Sequence, residues 1–266
     1  MLFRSGEDWN SVVLHAVERG YAGIECLAGI PGDAGGTPVQ NVGAYGQEVS
    51  ETIVNVRAFD RESYSFVDLN RAACHFGYRR SLFNTEVRGR YIVTGVTYRL
   101  RPGAEPTIRY ADLQRHFKAE LERGEQPTLL ETYHAVRSIR EQKGMLTGQG
   151  GADGHSAGSF FKNPVVAVSL LPEVAHRAGC AAENVPKYPT GDGLVKLPAA
   201  WLVERAGFHK GFAMGRAGIS SRHTLALVNL GGATAAEIVA LRDAVITGVR
   251  ERFGVTLEQE PVSLGF

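Results

Sequence analysis

One serine lies in a segment that is typical of a ligand-binding turn. Ser159 is the third residue of AGSFFKNP, residues 157–164. The two small residues before it let the backbone approach a ligand, and the two phenylalanines can exclude water from the same pocket. Lys162 and Asn163 have the chemistry to orient an anionic or sugar-like group. A serine beside glycine is more often a turn residue than a catalyst, so the segment alone leaves both interpretations open.

Two other segments carry charges suited to the same chemistry. Arg79 lies in CHFGYRRSLF, residues 74–83, where a guanidinium among aromatic rings suits a carboxylate or phosphate, or simply stacks on a ring at the surface. The tail VTLEQEPV, residues 255–262, alternates and predicts a closing strand with Glu258 and Glu260 on one face. These carboxylates are either solvated charges on an edge strand or, in a cleft, groups whose raised pKa permits proton exchange.

Residues 28–49, AGIPGDAGGTPVQNVGAYGQEV, form a glycine-rich segment with few charges and few large side chains. Such a segment lets backbone groups approach a phosphate or the edge of an isoalloxazine ring, although an elaborate surface loop has the same composition. It has neither the Walker pattern nor a GxGxxG motif that opens a helix after a strand.

The composition predicts a soluble globular protein of one large or two ordinary domains. The chain has 266 residues, 44% hydrophobic and 21% charged, with a formal net charge of +1. This balance argues against nucleic acid as a partner. The sequence has neither a long apolar run nor a signal peptide, so it predicts no association with a membrane. Cys26, Cys74 and Cys180 are odd in number and lack metal-ligand spacing, which predicts reduced thiols, a cytoplasmic protein and no metal site.

The hydrophobic periodicity predicts an α+β protein. The final helix, which begins at a capping box of Thr234 and Glu237 and ends at Gly254, should bury one apolar face. That face comprises Ile238, Leu241, Val245, Val249 and Phe253. Other helices are predicted over residues 8–21, 112–124, 128–142, 171–182 and near 196–204. Strands are predicted over residues 52–59, 64–67, 91–100, 223–230 and in the tail.

Taken together, six motifs resemble the bacterial UDP-N-acetylenolpyruvoylglucosamine reductases in order and spacing. The resemblance covers essentially the whole chain, and six motifs in register are far more specific than any one of them. The motifs are GIPGDAGGTPVQNVGAYGQEV from Gly29, FGYRRSLF from Phe76, KGM from Lys143, SAGSFFKNPVV from Ser156, VKLPAAWLVERAGF from Val195 and FGVTLEQEPVSLG from Phe253.

The resemblance implies a cytoplasmic oxidoreductase that uses FAD and NADPH to reduce UDP-N-acetylglucosamine enolpyruvate to UDP-N-acetylmuramate for peptidoglycan. It implies that Arg79 and Glu260 lie at the substrate carboxylate, and that Ser159 is the general acid that protonates the carbanionic carbon. An alkyl hydroxyl is a weak acid, so Ser159 would need neighbours such as Lys162. The implied flavin-facing residues are Gly32, Gly35, Gly36, Thr37, Gly43 and Ala44. The implied substrate-binding residues are Tyr45, Tyr110, Lys143, Lys162, Asn163 and His223.

The resemblance also predicts the domain organisation. Residues 1–143 are expected to form part of an FAD-binding domain and residues 144–254 a substrate-binding domain, with residues 255–266 returning to the first. The family normally begins with a further lobe that holds a Gly-x-Gly-Ser-Asn turn around the FAD pyrophosphate. No equivalent precedes Asp8, so we expect that lobe to be lacking. Two alternatives are a flavin oxidase of the same superfamily and a catalytically silent remnant that binds a UDP-sugar.

Overall fold

Buried apolar side chains fall into two clusters, each confined to one part of the chain. The structure, a computed structural model, describes residues 1–148 and 150–265. It divides into two units, Met1–Glu141 and Gln142–Phe266. Each unit combines helices with antiparallel sheets, so the α+β prediction is confirmed. Among the described residues, no helix is both long and apolar enough to cross a membrane.

The first unit is built on a four-stranded antiparallel sheet in the order β1, β7, β5, β6. Val56 of the central strand β5 pairs with Val96 on one side and with Leu69 on the other, and Val56 and Val96 are fully buried. This unit's strands are β1 (Leu2–Arg4), β2 (Tyr21–Ala22), β3 (Gly43–Ala44), β4 (Gln47–Glu48), β5 (Ile53–Asp60), β6 (Ser65–Asn70), β7 (Tyr91–Tyr98) and β8 (Arg101–Pro102).

Two helices of the first unit begin within one residue of the predicted starts and carry side-chain caps. The side chain of Asp8 accepts a hydrogen bond from the backbone N–H of Ser11 and caps α1 (Trp9–Glu18). Thr128 and Glu131 form a reciprocal capping box before α4 (Leu129–Gln142). The helix predicted over residues 112–124 is instead two helices, α2 (Ala111–His116) and α3 (Lys118–Glu122), because the chain bends at the buried Phe117 between them.

The second unit contains two small antiparallel sheets and three helices longer than one turn among its described residues. One sheet has the order β10, β12, β11 and the other the order β13, β14, β15, β9. Its strands are β9 (Ser156–Ser159), β10 (Val165–Ala167), β11 (Tyr188–Gly191), β12 (Leu194–Lys196), β13 (Ala213–Met214), β14 (Ala217–Ile219) and β15 (Ala226–Asn229). Its helices are α5 (Leu171–Ala178), α6 (Ala199–Arg205) and α7 (Ala235–Phe253).

Helix α7 confirms the predicted apolar face. Leu241, Val245, Val249 and Phe253 are fully buried, whereas Ile238 is only partly buried against the same core. The capping box of Thr234 and Glu237 opens the helix, and Gly254 ends it in the left-handed conformation.

The tail after α7 does not form the predicted strand over its described residues, 254–265. Val255 and Leu257 are 3% and 2% exposed and belong to the core of the second unit. Only an isolated antiparallel bridge between Phe161 and Gln259 represents the expected strand. The left-handed turn at Gly254 leads the chain back to the same core that already holds Phe253, so the alternating apolar residues are buried there.

Candidate active site

The candidate residues fall into two groups, one in each unit. The first group surrounds the glycine-rich segment, in which Ala34–Gly36 form a single 3-10 turn. The backbone amides of these residues already donate hydrogen bonds within the chain: that of Ala34 to Glu7 O, that of Gly35 to Ser5 O and that of Gly36 to Asp33 O, each at 2.9 Å. A phosphate needs free amide donors. This turn therefore offers small residues and surface to a ligand, not a cradle of amides for a phosphate.

A cavity of about 310 Å³ lies against this turn. Small residues form one part of its wall, aromatic and β-branched side chains form another, and Ser5 and Asp33 add polar groups, so the wall can contact a flat ring and also offer it hydrogen-bond partners. The lining residues are Ser5, Asp33, Gly35, Gly36, Val39, Phe83, Tyr91 and Val93.

The glycines among the predicted flavin-facing residues differ in the space that surrounds their Cα atoms. A Cβ at Gly36 or Gly32 would meet no atom within 4 Å, so open space lies beside both. A Cβ at Gly35 would lie 2.4 Å from the Cβ of Ser5, and one at Gly43 would lie 2.8 Å from the Cγ of Glu48. Gly35 and Gly43 therefore permit close packing within the chain.

Thr37 and Ala44 lie further from open space. Thr37 is 3% exposed, and its hydroxyl donates to Ala34 O at 2.7 Å and lies 2.6 Å from the hydroxyl of Tyr98. Ala44 lies in the β3–β4 hairpin opposite Gln47. Both residues shape the segment through its internal packing.

Arg79 is held in an uncommon backbone conformation. Its φ is 54°, in the left-handed region that non-glycine residues rarely adopt, and it lies between Gly77 and Arg80, which pair with each other. The guanidinium donates from Nη2 to Gly43 O at 2.8 Å and lies 5.5 Å from the ring centroid of Tyr78. Backbone strain of this kind concentrates at functional sites. The structure thus places the predicted carboxylate-binding arginine on the glycine-rich segment.

Tyr45 and Tyr110 are brought together. Their ring centroids are 5.4 Å apart in an edge-to-face arrangement, and Tyr45 also has a left-handed φ, of 48°. Tyr45 is 8% exposed, and this burial raises the pKa of its hydroxyl to about 12. Tyr110 is 36% exposed, so its edge is open to solvent.

Arg140 was not predicted as a site residue. It lies on α4, is 7% exposed, bonds the hydroxyl of Tyr45 and donates from Nε to Gly29 O at 3.1 Å. Burial lowers the pKa of its guanidinium. A signal was present in the sequence, because Arg140 follows Val136 by four residues and therefore lies on the buried face of the helix.

Two buried polar residues, one before the glycine-rich segment and one within it, were not assigned. Glu25 is fully buried and accepts hydrogen bonds from the backbone amides of Gly23 and Thr107 and from Nε2 of Gln47, at 2.6, 2.9 and 2.7 Å. Asn41, 1% exposed, bonds the turn that carries Arg79. These residues fix loops near Tyr110 and Arg79, and an asparagine in a glycine-rich turn is a known signal for a left-handed residue.

The second group centres on Ser159. Gly158 has a φ of 75°, and Ser159 ends β9 opposite Ala226 of β15. The next residues lie between two other segments: Phe160 N–H donates to Leu225 O at 2.7 Å, and Glu260 N–H donates to Phe160 O at 2.8 Å. The structure therefore brings the segments of Ser159 and Glu260 side by side.

Lys162 continues the same pairing. Its backbone N–H donates to Glu258 O at 2.9 Å, and its Nζ lies 3.3 Å from Oε2 of Glu258. Glu258 has a side chain that is 75% exposed, which confirms a solvated carboxylate, whereas Glu260 is partly buried. Of the two tail carboxylates, Glu260 is the better placed for a site.

The other predicted substrate-binding residues have structural partners as well. Oδ1 of Asn163 accepts from the backbone N–H of Ala199 at 2.8 Å and so caps the first turn of α6. Nδ1 of His223 accepts from the backbone N–H of Leu225 at 3.1 Å, which places the proton of the neutral ring on Nε2. Lys143 directly follows α4 and is partly buried.

Asp153 ties the loop before β9 to the turn before His223. Its carboxylate accepts from the hydroxyls of Ser220 and Ser221, both at 2.7 Å, and from the backbone N–H of Ser221 at 2.9 Å. Burial alone would raise its pKa, but these hydrogen bonds outweigh that effect and lower it. Asp153 is therefore a fixed anion that holds two loops beside the Ser159 strand.

These groups supply distinct chemistry. The first offers a guanidinium held against Gly43 O, two tyrosines in edge-to-face contact and a cavity lined partly by small residues. The second offers a hydroxyl at a strand end, the Glu260 segment beside it and Lys162. The first group has the chemistry to bind an anion, and the second has a hydroxyl that can take part in proton transfer.

Comparison with known proteins identifies the family. A family model described as UDP-N-acetylenolpyruvoylglucosamine reductase, C-terminal domain, matches residues 149–264. The UDP-N-acetylenolpyruvoylglucosamine reductase of Streptomyces coelicolor is 47% identical, with 98% of this chain and 69% of the relative covered. The reductase of Thermobifida fusca is 45% identical, with 98% and 73% covered.

A solved structure supports the fold. The UDP-N-acetylenolpyruvylglucosamine reductase of Thermus caldophilus has a TM-score of 0.60 and 24% identity, with 98% of this chain and 71% of that chain covered. At this identity the likeness concerns the fold alone. The reductases of Streptomyces coelicolor and Thermobifida fusca are more similar in sequence, and the match covers more than two thirds of the length of each. The chain therefore belongs to the family of UDP-N-acetylenolpyruvoylglucosamine reductases.

Proposed function

We propose that the chain reduces UDP-N-acetylglucosamine enolpyruvate to UDP-N-acetylmuramate in the cytoplasm, with FAD as cofactor and NADPH as electron donor. The observation that carries the proposal is the backbone pairing of residues 160–162 with residues 258–260, which sets the Ser159 segment beside Glu260. That pairing brings together two segments that lie far apart in the sequence, one carrying the Ser159 hydroxyl and the other the Glu260 carboxyl. The names of the relatives supply the substrate class.

The first unit fits the ring of a flavin. Open space beside Gly32 and Gly36, together with the cavity that Phe83 and Tyr91 help to line, suits a planar group held by contact with small residues. Gly35, Thr37, Gly43 and Ala44 would act by shaping this wall. When bound, FAD supplies the hydride that NADPH provides and that the enolpyruvyl group accepts at its terminal carbon.

Arg79 and Glu260 would stabilise the charge that this addition creates. As the carbon–carbon double bond takes up hydride, negative charge develops on the neighbouring carbon and on the attached carboxylate. A guanidinium already immobilised against Gly43 O needs little reorganisation to stabilise that charge. Glu260 would lie at the same substrate carboxylate.

Ser159 would complete the reaction by donating its hydroxyl proton to the carbanionic carbon. The balance is one hydride and one proton added across the double bond, with NADPH as the two-electron donor. The strand end at Ser159 is fixed by β15 on one side, and the next residue is fixed by the tail on the other, so the hydroxyl has a defined position. A positioned proton donor contributes roughly 10²- to 10⁴-fold to a rate.

The remaining candidates would recognise the rest of the substrate. Lys143 and Lys162 are cations suited to a diphosphate, and Asn163 and the Nε2–H of His223 are suited to the sugar and its acetamido group. Tyr45 and Tyr110 would contact the substrate through their stacked edges. On this proposal the first unit would contact the flavin and, through Arg79, Tyr45 and Tyr110, the substrate, and the second unit would bind the nucleotide sugar.

The test is a two-step anaerobic reduction with the purified full chain supplied with FAD. NADPH should bleach the flavin absorbance, and addition of the enolpyruvyl substrate should restore it while forming a product two hydrogens heavier by mass spectrometry. Recovery with oxygen but not with the substrate would instead support a flavin oxidase. UDP-sugar binding without flavin reduction would support a silent binding protein.

A further inference from the structure

Asn41 is a buried polar residue with three partners and a left-handed backbone. It is 1% exposed with a φ of 48°. Its Nδ2 donates to Oε2 of Glu48 at 2.7 Å and to Gly77 O at 2.9 Å, and its Oδ1 accepts from the backbone N–H of Ser50 at 3.1 Å. A buried side-chain amide satisfied this fully fixes the segments that it joins.

One of those segments is the turn that carries Arg79. Gly77 and Arg80 exchange both backbone hydrogen bonds, at 3.0 and 3.1 Å, and so close a turn with Tyr78 and Arg79 at its centre. The carbonyl that Asn41 holds belongs to Gly77, at the base of this turn. Arg79 itself is left-handed, a conformation that persists only where the surroundings enforce it. Asn41 therefore supplies part of that enforcement.

Glu48 links Asn41 to Gly43, whose carbonyl accepts the hydrogen bond of the Arg79 guanidinium. It lies directly opposite Gly43 in the β3–β4 hairpin, and Gly43 O accepts from Nη2 of Arg79. A Cβ at Gly43 would contact Cγ of Glu48 at 2.8 Å and Nη1 of Arg79 at 3.3 Å. Asn41, Glu48, Gly43 and the Arg79 turn thus form a closed ring of contacts.

We infer that Asn41 and Glu48 are positioning residues that hold Arg79 ready for the substrate carboxylate. The inference rests on the proposed function, which assigns Arg79 to that carboxylate. Neither residue needs to touch the substrate, because their hydrogen bonds fix the turn and the hairpin on which Arg79 lies. Loss of either residue leaves the charge of the guanidinium but not its fixed position. Substrate binding must then order the guanidinium, which weakens the affinity for the carboxylate.

The experiment measures carboxylate discrimination by calorimetry with the full chain. Discrimination is the ratio of the Kd for UDP-N-acetylglucosamine, which lacks the enolpyruvyl carboxylate, to the Kd for UDP-N-acetylglucosamine enolpyruvate. The variant is Asn41→Gly, because glycine adopts the left-handed conformation without steric cost. We expect discrimination to fall roughly 5- to 20-fold, with affinity for UDP-N-acetylglucosamine within about twofold of wild type.

Glu48 provides a second and milder pair of variants. Glu48→Gln keeps an oxygen that accepts from Asn41 and should retain most of the discrimination, whereas Glu48→Ala should lose it as Asn41→Gly does. Asn55→Ala is the matched control, because Asn55 also bonds a carboxylate, that of Asp68 at 2.8 Å, but lies outside the ring. The control should leave discrimination unchanged.

A double-mutant cycle separates positioning from general stability. In an Arg79→Ala background, Asn41→Gly should change discrimination by less than about twofold, because the group that it positions is absent. Equal weakening of both ligands, or full additivity with Arg79→Ala, overturns the inference while leaving the proposed function intact. A wild-type chain that does not discriminate between the ligands overturns the proposed function, and the inference with it. If Asn41→Gly fails to fold, the discrimination of Glu48→Ala compared with that of Glu48→Gln tests the inference in its place.

Discussion

The two groups of candidate residues are held by different kinds of interaction. Around Arg79, side-chain interactions fix the backbone: Asn41 donates hydrogen bonds to Glu48 and to Gly77 O. Gly35 and Gly43 allow close packing that a larger residue would prevent. Around Ser159, backbone does the holding, through β15 on one side and residues 258–260 on the other. The first arrangement depends on particular side chains, whereas the second depends on strand register. Single substitutions should therefore displace functional groups more readily in the first group than in the second.

Removal of the Ser159 hydroxyl should produce the largest effect. Ser159→Ala should lower the rate of substrate reduction roughly 10²- to 10⁴-fold, because a positioned proton donor is lost. The melting temperature should not change, since backbone pairing holds this strand end, and reduction of bound flavin by NADPH should remain intact. Stopped-flow absorbance separates the two steps.

Ser156→Ala on the same strand is the control for this prediction. The hydroxyl of Ser156 accepts only the nearby backbone N–H of Gly158, at 3.3 Å, among the contacts within the described chain, and should be dispensable. Full turnover by Ser159→Ala, or equal losses in the two variants, would remove the general-acid assignment.

A methyl group at Gly35 should be the largest perturbation of stability. Gly35→Ala places a Cβ 2.4 Å from that of Ser5 and should destabilise the fold by roughly 1–3 kcal/mol. Its neighbour provides the contrast: Gly36→Ala adds a methyl group to open space and should change stability by less than about 0.5 kcal/mol. Because Gly36 lines the cavity, that variant should lower flavin content instead. Thermal denaturation and flavin absorbance give both values, and similar melting temperatures would contradict the distinction.

Loss of the Tyr45 hydroxyl should have a moderate effect that depends on pH. Tyr45→Phe leaves the buried Arg140 without that partner and should cost roughly 1–2 kcal/mol at neutral pH. The pKa of Tyr45 is raised to about 12 in the folded chain, from about 10 when unfolded. Between these two pH values the Tyr45 hydroxyl is ionised in the unfolded chain but still neutral in the folded chain. The stability contributed by the raised pKa is therefore complete below about pH 10 and declines as the pH rises towards 12.

Denaturation from pH 8 to 12 measures this dependence. Tyr45→Phe should lose stability less steeply over the upper part of that range than wild type. Tyr64→Phe, at a side chain that is 80% exposed, should change neither the neutral value nor the slope. A neutral-pH loss equal to that of Tyr64→Phe would show that the Arg140 contact contributes nothing.

The exposed ion pair of Lys162 and Glu258 should have the smallest effect. Its Nζ and Oε2 are 3.3 Å apart, but the Glu258 side chain is 75% exposed, and pairs of this kind contribute roughly 0–1 kcal/mol. Glu258→Gln should therefore change the free energy of unfolding by less than about 0.5 kcal/mol. A loss well above that value in chemical denaturation would mean that side chains, and not backbone pairing, hold the segment beside Ser159.

Local signals in the sequence predicted much of the fold. The capping boxes at Thr128 and Thr234 and the apolar stripe of α7 depend on neighbours within one helix, so they could be read directly. The bend at Phe117 and the path of residues 255–258 could not, because both follow from which core receives a side chain. Alternation predicted a strand there, and it carried no information about which core would receive Val255 and Leu257.

The candidate residues show the same limit. Composition predicted close backbone approach in the glycine-rich segment, yet it could not separate Gly36, beside open space, from Gly35, which packs on Ser5. The importance of Arg140 was visible from its position on the buried face of α4, and this signal was missed. The ring that holds Arg79 joins residues 41, 48 and 77, and no spacing rule connects them.

The pairing that encloses Phe160 also has a consequence for biosynthesis. A growing chain carries Ser159 out of the ribosome long before it carries Glu260, whose backbone N–H completes the contact with Phe160 O. Until the later segment is available, Phe160 O and Lys162 N–H lack the partners that residues 258–260 supply, and Val255 and Leu257 are missing from the core of the second unit. We therefore expect the fold around Ser159 to be completed only after the segment through Glu260 is available.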